Sequence, residues 1–440
     1  MSFSAYPKYK DSGVAWLGEV PSHWDVVPLW TLFRRTKRTG FPDEELLSVY
    51  RDYGVLVTSS RDDNFNKASE DLGAYQFVNQ GDLVINKMKA WQGSVGISGF
   101  RGIVSPAYFV FEPLHSMSSR YLHFLFRSEV YFSVYMAMSK GIRINQWDLD
   151  PQSHSRLSVL LPTRAEQGAI AAFLDYETAK IDALIAEQEK LIDLLQEQRI
   201  EVISHAVTKG LDPTVPMKDS GVEWLGQVPE HWNVTRVKFV CSKIVDCLHS
   251  TPEYDDDGKY YVVRTADVDR GILLTCDMRK VTIHTYIERI SRLEPLYGDI
   301  VYSREGERFG MAALIPENMK VCLGQRMMML RVSKEVESTY LMWFLNSLCV
   351  YNQVRCMVGG ATSPHVNIAD VVNFYIVNPP IEEQQGITGK ISLEAKRIDT
   401  LLAESQKAIT LLKERRSALI SAAVTGKIDV RGYAPQQEAV

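Results

Sequence analysis

Residues 166–208 read EQGAIAAFLDYETAKIDALIAEQEKLIDLLQEQRIEVISHAVT. Leu174, Ile181, Leu184, Leu191, Leu195 and Val202 recur there at steps of three, four or seven, interrupted by Glu177, Gln188 and Gln198, with almost no Gly or Pro between them. That is the period of an amphipathic helix. About 40 helical residues span roughly 60 Å, too long for a core helix of one compact domain, so the helix needs a partner. The same pattern returns at 383–425, and the two copies are expected to pack on each other through Ile181, Leu184, Leu191 and Leu195 in the first and Ile398, Leu401 and Leu412 in the second.

A second repeat precedes each helix. KDSGVAWLGEVPSHW at 10–24 returns as KDSGVEWLGQVPEHW at 218–232, with differences only at Ala15, Glu19 and Ser22 of the first copy. The chain is therefore a tandem of two units, each a Trp/Gly/Pro motif, a variable interior of about 140 residues and a long helix. The paired tryptophans, Trp16 and Trp24 with Trp224 and Trp232, are expected to pack against a neighbouring domain or the helix ends, with His23 and His231 structural. Shared landmarks such as Gly81-Asp82-Leu83-Val84 and Gly298-Asp299-Ile300-Val301 mark the interiors as diverged copies of one fold. Each alternates β-rich runs (LLSVY, GVLVTS, AYFVFE; KYYVVRTADV, MMMLRV, NFYIVN) with turns and carries one late helical run, 119–138 or 338–357. Proline at Pro162, or at Pro379 and Pro380, stops the last strand and sets up the long helix.

At 440 residues, 45% hydrophobic and 23% charged, the chain reads as two to three globular domains. It opens without a secretory signal, its apolar runs are short of a membrane span, and a cytoplasmic location is expected. The six cysteines all lie in the second half without C-x-x-C spacing, so reduced thiols are expected and neither a zinc site nor a disulfide framework. The net charge of -5 argues against a nucleic-acid partner until it is located: residues 163–212 carry ten acids and five bases, and the remainder is near neutral.

No motif supplies a convincing active site. Asn378-Pro379-Pro380-Ile381 approaches the N-P-P-[YF] tetrad of adenine methyltransferases, but its fourth residue is not aromatic and no F-x-G-x-G loop precedes it. Asp246 with Asp257-Gly258-Lys259 is a loose nuclease spacing in what reads as a solvated turn. Phosphate-loop, metalloprotease and triad signatures are missing from the sequence. What remains is basic and polar loop residues at corresponding places. In the first unit these are Arg34, Arg35 and Lys37; Lys87, Lys89, Trp91 and Gln92; and Arg143, Asn145 and Gln146. In the second they are Arg264; Arg304 and Arg308; Gln325 and Arg326; and Thr362, Ser363 and His365. Arg, Lys, Asn and Gln read base edges, and glycine lets a loop approach DNA. We take these eighteen as candidate DNA contacts, with no catalytic or metal-ligating residue in the chain.

This layout resembles the specificity (S) subunit of type I restriction-modification systems over essentially its full length. The two W-L-G-x-V-P-x-H-W motifs carry the resemblance, with IAAFLDYETAKIDALIAEQEKLIDLLQEQR, ITGKISLEAKRIDTLLAESQKAITLLKERR and the ends HAVTKGLD and AAVTGKID. It implies an α+β chain of two α/β target-recognition domains, 1–161 and 213–378, separated by an antiparallel coiled coil of the helical spacers 162–212 and 379–430, with a tail at 431–440. Each domain would read one half of a bipartite site on double-stranded DNA, and the helices would set the spacer. Two methylation (M) subunits and restriction (R) subunits would dock, carrying S-adenosylmethionine, ATP and Mg²⁺, none of which this chain would bind itself. The alternative from another class is a stand-alone DNA methyltransferase or nuclease.

Overall fold

The computed structural model describes the chain except for residues 1, 2, 52, 62–68, 70, 144, 145, 307, 358–365 and 434–440; at 142, 143, 146, 356 and 357 only the backbone is described. It is mixed α/β and falls into two compact units, residues 1–188 with 407–440 and residues 189–406. The long helices, Arg164–Lys209 and Ile381–Val424, run through both units, so each unit owns half of each helix.

Each unit is built round a four-stranded antiparallel sheet. In the first, strands Phe33–Thr36, Tyr108–Pro113, Leu83–Asn86 and Val95–Ile97 lie side by side in that order; in the second, Cys241–Asp246, Met327–Val332, Ile300–Ser303 and Ala312–Leu314 repeat it. Alternation decides which residues face which layer. Phe33, Leu83, Ile85, Phe109 and Phe111 pack with the helical layer, whereas Val84 and Val110 meet Leu47, Val49, Val55, Val78 and Val104 from smaller sheets behind. The second unit divides the same way, Ile300, Tyr302, Met328 and Leu330 on one side and Val301, Met327 and Met329 on the other. The expected single late helix is two: Ser119–Phe126 with Glu129–Met138, and Ser338–Leu345 with Leu348–Met357. A serine makes the break in both, since Ser128 Oγ donates to the carbonyl of Leu125 and Ser347 Oγ to that of Phe344, ending the first helix with a local bond.

The long helices pack together with a seam of alternating four- and three-residue steps. Leu174, Thr178, Ile181, Ile185, Gln188, Ile192, Leu195 and Arg199 are buried or half-buried on the first, and Ile391, Ala395, Ile398, Leu402, Ser405, Ile409, Leu412 and Arg416 on the second, the heptad signature of a coiled coil. Three expected packing residues lie off it: Leu184, Leu191 and Leu401 are 47%, 40% and 40% exposed, because Ile185, Ile192 and Leu402 take the seam positions beside them. Antiparallel register is fixed within each unit by an ion pair. Arg416 Nε donates to Asp182 Oδ1 at 2.8 Å in the first, and Arg199 Nε to Asp399 Oδ1 at 3.0 Å in the second. The 217-residue offset of the repeat converts one pair into the other.

Candidate nucleic-acid interface

The interiors are hung on the helices by matching polar clamps. In the first unit Thr163 and Glu166 form a reciprocal capping box. Glu166 also bonds His23 Nε2 at 2.8 Å and accepts from Trp24 Nε1 at 3.4 Å. In the second, Glu383 meets His231 at 2.7 Å and Trp232 at 2.9 Å. The repeated His-Trp dipeptide is thus a grip on the helix start, as a structural reading of those residues expected. Burial, the largest influence, would raise the Glu166 carboxyl pKa, but bonds from His23, Thr163 and Trp24 together outweigh it and hold the carboxyl below its ordinary value. Behind the clamp, Tyr121 donates its hydroxyl towards the carbonyls of Leu160 and Val424, and Tyr340 towards those of Val377 and Val207. Gln167 and Gln384 each donate to a proline carbonyl and accept the N-cap N–H of an interior helix, from Ser118 and Glu337.

On this frame some of the candidate contacts gather at one equivalent place per unit. The loop after strand Leu83–Asn86 is stitched to the strand beyond the interior helices, Leu149 N donating to Lys87 O at 2.9 Å. In the second unit Val366 N donates to Arg304 O at 3.0 Å, the same bond displaced by 217 residues. Lys87, Lys89, Trp91 and Gln92 are thereby joined to the Ser139–Arg143 and Gln146–Leu149 hairpin, which holds the backbone of Arg143 and Gln146; Asn145 lies outside the described residues. Trp91 packs on Trp147 with centroids 5.0 Å apart, and Lys87 Nζ lies 3.7 Å from Asp148. Gly93 closes the loop at φ 88°, where a Cβ would come within 2.4 Å of the Phe132 ring, so no other residue fits without displacing that ring.

In the second unit Arg304, Gln325 and Arg326 come together, while Thr362, Ser363 and His365 lie outside the described residues. Arg304 turns inward: it is 2% exposed and its Nη2 donates to Asp246 Oδ1 at 2.8 Å. An arginine placed there as a base reader from sequence is thus a buried brace, because Asp246, at the end of the outer strand Cys241–Asp246, supplies its counter-charge. Arg264 is spent likewise in two bonds to Asp267 at 2.6 and 2.9 Å. Arg308 lies half-buried, 3.7 Å from Asp269. The structure leaves Arg34, Arg35 and Lys37 apart from the Lys87 edge, on and just after the outer strand of the first sheet. There Arg34 Nε donates to Glu112 at 2.6 Å, Arg35 lies 4.2 Å above the Phe109 ring and Lys37 is exposed. Trp30, 60% exposed, shares a cleft with Arg34 and Arg35 and was passed over in the sequence because nothing distinguishes it there from a core tryptophan. No helix among the described residues is long and apolar enough to cross a membrane.

Residues 229–409 match the family described as type I restriction modification DNA specificity domain. Over 96% of its length the chain is 20% identical to the type I restriction enzyme EcoKI specificity subunit of Escherichia coli K12, covering 93% of that protein. It is 22% identical to the MjaVIII specificity subunit of Methanocaldococcus jannaschii, covering 94% of each. A solved structure described as the basis of complex assembly and conformational transition of the type I R-M system shares the fold with a TM-score of 0.66 at 14% identity, over 92% of this chain and 98% of that one. Alongside twin motifs, twin interiors on one sheet plan and paired long helices, the chain thus carries a type I restriction modification DNA specificity domain match in its second half and is similar over nearly its full length to type I restriction enzyme specificity subunits.

Proposed function

We propose that this chain is the non-catalytic DNA-reading subunit of a type I restriction-modification complex. Each unit reads one part of a bipartite site in double-stranded DNA, and the long helices set the spacer between the parts. The observation that carries this reading is the stitched edge itself. Two loops that diverge fully in sequence, Lys87–Gln92 and Arg304–Gly310, leave equivalent strands and are pinned by the same backbone bond. A repeated frame around divergent polar loops is what a changing target requires. Two methylation subunits carrying S-adenosylmethionine and restriction subunits using ATP and Mg²⁺ dock on the repeated frame, and the chemistry is theirs.

Single-molecule methylation sequencing of the host, with and without this gene, tests the proposal. One bipartite adenine-methylated motif should vanish with the gene. Methylation that persists unchanged, or methyl transfer by the purified chain alone, would sink it in favour of another enzyme or of a stand-alone methyltransferase.

A further inference from the structure

The turn before strand Met327–Val332 ends on Arg326, whose φ is 73°. Among the described residues only one other non-glycine, Asn318, has positive φ, and asparagine tolerates that region where a long side chain is strained. The other unit shows that the frame needs neither the arginine nor the strain. The strand registers place Ala107 at the equivalent position, and Lys87 N donates to Ala107 O as Arg304 N does to Arg326 O, at 3.3 and 3.1 Å. Ala107 has no positive φ.

The side chain at this strained position is aimed, not loose. Arg326 Nε lies 3.0 Å from Glu305 Oε2, while the side chain stays 53% exposed. Its neighbour Gln325 is tied down at both ends of its amide, accepting from Thr251 Oγ1 at 3.2 Å and donating to the carbonyl of His249 at 3.4 Å. With a carboxylate at Nε, the two terminal nitrogens form the parallel donor pair that matches guanine O6 and N7 in the major groove.

We propose that Arg326 is the specificity-determining residue of the second unit and reads one guanine, with Glu305 and the Gln325 turn as positioning residues. The inference rests on the DNA-reading role above. The test expresses the chain with its partner subunits and compares wild type with Arg326→Gly, Arg326→Ala and Arg326→Lys by methylation sequencing and by binding to duplexes altered one base pair at a time. Glycine removes the side chain and relieves the backbone, so Arg326→Gly should fold and melt no lower than wild type. It should lose about tenfold or more of the discrimination at one G·C pair of one half-site, leaving the other half-site and the spacer as they were. Lysine should restore only part of it. Unchanged stringency at every position, or equal weakening on all sequences as a phosphate contact gives, would overturn the assignment. A wild-type complex with no bipartite motif would instead overturn the function proposed above, so the two failures are distinct.

Discussion

Glu166 and Glu383 do one job in unequal surroundings. Glu166 is almost fully buried and serves a capping box as well as the His-Trp grip, whereas the Glu383 side chain is 41% exposed and its helix start has proline where Thr163 stands. Glu166→Ala should therefore cost about 1–3 kcal/mol, as for a buried donor set left unsatisfied, and Glu383→Ala under about 1 kcal/mol. Calorimetric melting, which can resolve the two units, checks the order; equal losses would refute it. His154 is a second telling residue. Its ring is buried against Phe111 and Tyr135, neither ring nitrogen nor the Tyr135 hydroxyl has a partner among the described residues, and burial lowers its pKa to about 3. Val371 and Val354 fill the equivalent places in the second unit. From about pH 6.5 down to that lowered value, the unfolded chain holds a proton that the native core refuses. Stability is accordingly lost as pH falls through this window, by up to ~1.4 kcal/mol per pH unit. His154→Val should flatten the slope between pH 7 and 5, leaving the parts owed to His115 and His123, which burial also lowers, His123 to about 3. An unchanged slope in urea titrations at the two pH values would count against this origin.

At the scale of elements, the long helices were legible as helices and only partly as a seam. Counting leucines selects Leu184, Leu191 and Leu401, which the structure leaves exposed, because adjacent apolar pairs such as Leu184-Ile185 fit the periodicity equally well. The isoleucines mark the seam better: Ile181, Ile185, Ile192, Ile391, Ile398 and Ile409 all lie on it. Thr178, Arg199, Ser405 and Arg416 are not legible as seam residues, because polarity alone assigns them to solvent. Leu195→Ala, at a buried position, should cost about 2–4 kcal/mol, and Leu184→Ala less than about 1 kcal/mol; comparable losses in denaturant unfolding would restore the leucine seam. The candidate site was legible to a similar depth. Its segments could be named from the repeat, since the Lys87 and Arg304 loops keep their register. Which arginines face out could not, since Arg304 depends on Asp246, 58 residues away in sequence, and Arg326 stands out only by its backbone.

At the scale of the molecule, duplication explains why a single 217-residue offset converts the stitch and the ion pair of one unit into those of the other, while the clamps recur with offsets of 208 to 219, and the acidic first helix accounts for the net negative charge. It also makes the spacer reading testable. Each helix, roughly 65–70 Å long, continues from one unit into the other, so residues added at its middle lengthen the path between them. Gln188 and Ser405 are equivalent seam residues at that point. Seven residues inserted after each preserve the heptad and add about 10 Å, close to three base pairs of B-DNA at 3.4 Å each. Methylation sequencing should return both half-sites unchanged around a spacer about three base pairs longer. The same insertion in the first helix alone moves Asp182 out of register with Arg416, or Arg199 with Asp399, and should abolish methylation instead. Altered half-sites around an unaltered spacer would show that the helices are not the ruler.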